Sequence, residues 1–75
     1  MLGTLADLKV GEQAEIIGFT DELLSLKLLE MGCLPGTVIE LTHQAPFGDP
    51  IAIKVSGYTL IMRKEEAATI QIKNK

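Results

Sequence analysis

Residues 21–36, DELLSLKLLEMGCLPG, restrict the fold more than any other stretch of the chain. They form the one segment with apolar residues at helical spacing, and two separate signals stop it. Gly32 stands just past the last helical turn, where a positive φ is wanted, and Pro35 forbids resumption three positions later. Thr20 fits the N-cap, with Asp21 and Glu22 putting negative charge where the helix dipole favours it. A single helix set among short strands either plugs the core or presents a surface to a partner.

The leucines of this helix divide into two sets. At about 100° per residue, Leu24, Leu28 and Met31 fall within a narrow arc, the expected core face. Leu23, Leu26 and Leu29 fall on a roughly opposite arc, interrupted by Glu22 and Glu30. Two readings of the second arc stand. Either the barrel and the N-terminal leucines Leu2, Leu5 and Leu8 cover the helix on both sides, or the arc is open and binds a partner, as large exposed apolar patches do.

Around the helix the chain reads as strands. Residues 14–19 are the first, 37–43 the second, and Ile51–Val55, which alternates cleanly, the third. Ser56-Gly57 is a tight hairpin turn, Tyr58–Met62 returns, residues 63–68 make one helical or 3₁₀ turn, and 69–73 close with a fifth strand. Leu2, Leu5 and Leu8 before Gly11 make an opening turn, and Pro35-Gly36 suits the centre of a type II turn. Residues 45–50, APFGDP, are too rich in Pro and Gly for regular structure. Five short strands with one inserted helix predict a mainly β fold, a small and strongly bent barrel over residues 1–75 as one domain.

Composition excludes several functions. A chain of 75 residues buries only about 60% of its unfolded surface, yet 47% of this one is hydrophobic, enough to leave apolar residues for an interface. The net charge of −3 argues against nucleic acid, which needs clustered Lys and Arg. The basic clusters are Arg63-Lys64, followed at once by Glu65-Glu66, and Lys73 with Lys75. No apolar run is long enough to cross a bilayer, and the N-terminus lacks the basic and apolar regions of a secretory signal. With Cys33 as the one cysteine, a reducing, cytoplasmic setting is expected.

Candidate chemistry is sparse. Cys33, His43, Asp49 and Glu65-Glu66 are the possible metal donors, but neither a C-x-x-C nor an H-x₃-H spacing occurs. Cys33 with His43 is the sole conceivable nucleophile–base pair, with a tight turn between them. No phosphate-cradling glycine motif is present, so Gly32, Gly36, Gly48 and Gly57 read as turn residues. The chain is therefore expected to be no enzyme, with no catalytic, cofactor or metal residue assigned. Phe47, between Pro46 and Gly48, is either a contact residue at a loop tip or folded back onto the barrel.

Three segments in order carry a family resemblance. LLEMGCLPGT at 28–37 resembles the RLLELGLLPGT signature of FeoA proteins, and APFGDPI at 45–51 their APLGDPI loop. Gly57-Tyr58, with Leu60 and Arg63 to Ala67, resembles their GY.LALRKEEA segment, and Ile70 and Ile72 fit the closing strand. The resemblance implies an SH3-like β-barrel, without enzymatic activity or an agreed metal site, that assists ferrous iron (Fe²⁺) uptake. Its implied partner is the cytosolic side of the FeoB-type transporter. Ser25-Leu26-Lys27 departs from the arginine cluster of many members. The expected partner-binding residues are Leu23, Leu26, Lys27, Leu29 and Phe47, with self-association also open. Alternative roles are an iron-responsive regulatory barrel related to the C-terminal domain of DtxR-type repressors, or a regulator of the transporter's GTPase using Arg63.

Overall fold

The computed structural model describes residues 2–74, with the backbone alone at Leu2. Its strands are β1 (Leu2–Thr4), β2 (Gln13–Phe19), β3 (Val38–Gln44), β4 (Ile51–Val55), β5 (Tyr58–Met62) and β6 (Ile70–Asn74). Helix α1 (Glu22–Glu30) lies between β2 and β3, a single turn α2 (Lys64–Ala67) precedes β6, and a 3₁₀ turn (Leu5–Asp7) follows β1. The strands form one antiparallel sheet in the order β1-β6-β2-β3-β4-β5. It bends round a core without closing, so that β1 and β5 are its edges.

The mainly β fold with an inserted helix is as expected, but six strands form where five were predicted. The extra one is β1, paired with β6 from Leu2↔Lys73 to Thr4↔Gln71. The chain then turns because Asp7 reaches back: its carboxylate accepts from the Thr4 backbone N–H at 3.0 Å, which drives Leu5 into the core. Leu8 is buried as well, while the side chain of Leu2 lies outside the described residues.

Alternation sets the rest of the core. Ile16, Ile39, Leu41, Ile53, Ile70 and Ile72 point inward and are almost wholly enclosed, together with Leu28 from the helix. Two β-bulges, between Ile16 and Gly18 and between Leu41 and His43, each insert a residue and bend the sheet around that core. The first turns Ile17 outward, where it is exposed. The β4–β5 hairpin has positive φ at both turn residues, 47° at Ser56 and 89° at Gly57, the type I′ geometry that matches strand twist. At residues 34–37 the Thr37 N–H donates to the Leu34 carbonyl at 3.0 Å and Gly36 has φ 92°, as Pro35-Gly36 predicts.

Candidate interaction surface

Helix α1 is fixed at both ends. Its N-cap is Asp21, whose carboxylate accepts from the Leu24 N–H at 2.9 Å, and not Thr20 as predicted. Thr20 continues the sheet instead, its N–H donating to the Thr69 carbonyl at 2.9 Å. At the C-terminus the Cys33 N–H donates to the Leu28 carbonyl and the Gly32 N–H to the Leu29 carbonyl, both at 3.0 Å. That pair of bonds is a Schellman motif, and Gly32 takes its left-handed position with φ 102°. Tyr58 then closes the end: its hydroxyl donates to the Met31 carbonyl at 2.9 Å, and a Cβ at position 32 would overlap that hydroxyl.

The first arc is the core face that the spacing predicts, and the second, left either covered or open by the sequence, is largely open. Leu28 is fully buried, and Leu24 and Met31 pack against the core from its margin. Leu23 is 84% exposed and Leu26 63%, whereas Leu29 is half-buried. Lys27 is committed within the domain, its ammonium lying 2.8 Å from Glu66 Oε2 and joining α1 to α2. The other oxygen of Glu66 accepts from the Arg63 N–H at 2.8 Å. The Lys27 hydrogen bond first, and the Arg63 N–H second, hold the Glu66 carboxyl below the usual carboxylate range.

The loop at 45–50 displays Phe47, which is fully exposed and does not fold back. Its backbone is nonetheless held. The Gly48 N–H donates to the Ala45 carbonyl at 2.7 Å, and the Ala45 N–H to the Pro50 carbonyl at 3.1 Å. Asp49 tethers the loop to α2 by accepting from the Lys64 N–H at 2.9 Å, with the Arg63 guanidinium 3.9 Å from its second oxygen. Phe47 thus stands on a braced support linked through α2 and Lys27 to the helix that carries Leu23 and Leu26.

The residues weighed for chemistry are not brought together. Cys33 is buried inside the cap motif, and burial pushes its thiol pKa up, away from the thiolate a nucleophile or metal ligand needs. His43 is exposed on β3, Asp49 caps the loop, and Glu66 is paired with Lys27 while Glu65 faces solvent. Among the described residues no three of His, Cys, Asp and Glu are placed to hold a metal ion. No helix among them is long and apolar enough to cross a membrane. Tyr58 and Ile61 were not assigned a role from the sequence; the signals pointing to Tyr58 were its place straight after the hairpin turn and in the Gly57-Tyr58 motif.

These features define a small SH3-like β domain whose exposed Leu23, Leu26 and Phe47 stand on a capped helix and a tethered loop. Residues 3–74 match the family model of the FeoA domain, and the chain belongs to that family. Among curated proteins, the Fe(2+) transport protein A/Fe(2+) transporter FeoB fusion protein of Porphyromonas gingivalis is 32% identical over 69 residues. That match takes in 91% of the chain but only 8% of the fusion protein. The NMR structure of a FeoA-like protein from Clostridium acetobutylicum is 32% identical, with TM-score 0.90, covering 97% of this chain and 86% of that one. A Stenotrophomonas maltophilia FeoA complexed with zinc, described as a prokaryotic SH3 domain protein, shares the fold at TM-score 0.82 and 21% identity, over 93% and 88% of the two chains. A manganese-dependent transcriptional repressor shares the fold alone, at TM-score 0.89 and 13% identity, over 99% of this chain and 37% of that one.

Proposed function

We propose that this domain is an accessory module of ferrous iron uptake that binds the cytosolic part of a FeoB-type transporter by protein–protein contact. The observation that carries the reading is the Porphyromonas relative, in which a matching domain is fused to FeoB. A covalent link makes sense for two parts that work together, and contact between them needs a surface on the domain. Leu23, Leu26 and Phe47 supply apolar area on braced backbone, so little ordering cost is added on binding. Leu29 and Lys27 lie at the margin of this surface, the first half-buried and the second engaged with Glu66. Iron is the cargo of the transporter in this reading, and the domain performs no chemistry on it.

Leu26→Glu tests the proposal, because it places a charge in the contact without touching the core. Calorimetric titration of the purified variant into the transporter's cytosolic domain, with and without guanine nucleotide, is expected to show binding weakened by roughly tenfold or more. Unchanged affinity in a variant that folds normally would remove α1 from the interface.

A further inference from the structure

Strand β5 is an open edge of the sheet, and its composition is unusual for one. It pairs with β4 alone, from Val55↔Tyr58 to Ile51↔Met62. Across a two-residue turn the flanking residues exchange both backbone hydrogen bonds, and bonded pairs recur at every second position. Tyr58, Leu60 and Met62 therefore direct their backbone groups to β4. Thr59 and Ile61 direct theirs away from the sheet, and no backbone partner meets them among the described residues. Edge strands are ordinarily blunted by charge, proline, a bulge or short length. The sequence YTLIM has no charge or proline, its pairing shows no bulge, and Ile61 is 62% exposed. The opposite edge, β1, is only three residues long.

Charge is also distributed unevenly around this edge. Arg63 and Lys64 follow β5 directly, and Lys54 stands opposite Thr59 on β4, in a chain whose net charge is −3. Among the described residues the Lys54 and Lys64 ammonium groups have no ion pair, and Arg63 reaches Asp49 at only 3.9 Å. Glu40, across from Lys54 on β3, accepts a hydrogen bond from Gln13.

We propose that β5 receives an extended segment of a partner protein as an added strand, apolar at alternate positions and acidic at the end that meets Arg63 and Lys64. Main-chain bonds to Thr59 and Ile61 supply the docking, and the basic end sets polarity and register. A second copy of the chain fits this edge poorly. Antiparallel pairing of two β5 strands about Leu60 sets Arg63 of each copy beside Gly57 of the other, toward the hairpin that bears Lys54, so that bases meet at both ends. Five residues from each copy also fall far short of the roughly 1,200 Å² that a stable interface buries. The inference is independent of the transporter reading, which uses α1 and Phe47.

The test is an NMR titration of the intact chain with three short, terminally blocked peptides of alternating valine and threonine. One carries two aspartates at its N-terminal end, one carries two lysines there, and one is the acidic peptide N-methylated at alternate amides. The acidic peptide is expected to shift the Thr59 and Ile61 amides and slow their hydrogen exchange, with the other two binding roughly tenfold more weakly. Ile61→Pro removes an N–H that the fold does not use and should abolish the response; Ile61→Lys, which keeps the backbone intact, should weaken it. Absence of any shift at millimolar acidic peptide would overturn the proposal, as would equal binding of acidic and basic peptides or shifts confined to α1. Concentration-dependent shifts at β5 without peptide would also overturn it, assigning the edge to a second copy.

Discussion

The two faces of α1 are made of the same residue type and meet opposite surroundings. Leu28 is completely enclosed, while Leu26, two positions earlier, is 63% exposed. The inner face holds the helix against the sheet, and the ends are tied by Asp21 and Tyr58. On the outer face Leu23 and Leu26 are exposed and take no part in that anchoring, while Leu29 is half-buried and Lys27 at its border is paired with Glu66. The contrast separates what makes the helix stay from what the helix displays, so substitutions on the two faces should register in different measurements.

The largest effect is expected on the inner face. Leu28→Ala leaves a cavity and should cost about 2–5 kcal/mol, a large share of the stability of so small a domain. Urea denaturation measures it, and a loss below about 1 kcal/mol would mean the face is not the anchor it looks. Next is Gly32→Ala, expected to cost about 2 kcal/mol, since alanine is strained at φ 102° and its Cβ overlaps the Tyr58 hydroxyl. A double-mutant cycle with Tyr58→Phe should return the part due to overlap but not the part due to φ.

A smaller effect marks the border between the faces. The folded pKa of Glu66 is depressed, so its contribution is present above the unfolded carboxylate pKa and is lost as the pH falls through the folded value. Glu66→Gln should therefore flatten the acid limb of a stability–pH profile, and an unchanged limb would show that the Lys27 contact does not couple to folding. Smallest of all is Leu26→Glu, whose unfolding free energy should stay within about 0.5 kcal/mol of the parent. A larger loss would make Leu26 part of the fold and erase the distinction between the faces.

Most of this was legible in the sequence where local chemistry decides the structure. Gly32, Pro35-Gly36 and Ser56-Gly57 marked turns that form, and alternation in Ile51–Val55 gave a strand with the bounds observed. Arc arithmetic placed Leu28 inside and left the second arc either covered or open; Leu23 and Leu26 are open and Leu29 is partly covered. What escaped depends on partners far along the chain. Thr20 and Asp21 are equally able to cap a helix, and the pairing of Thr20 with Thr69 decides between them. Strand β1 has no pattern of its own and exists because β6 lies beside it. The Lys27–Glu66 and Tyr58–Met31 bonds join residues 39 and 27 positions apart, beyond any local signal. The exposure of Phe47 was left open because a loop's direction is set by its tethers, here Asp49 to α2.

The position of β6 between β1 and β2 has a consequence for biosynthesis. Of the strands in this domain β6 is made last, and β1 and β2 both pair with it, so neither can complete its pairing before it. Until residues 70–74 emerge, Ile16 and Leu5 lack the Ile70 and Ile72 side of their shared core. The domain therefore becomes a single cooperative unit only once β6 is in place, a late commitment typical of sheets whose strands pair with distant segments.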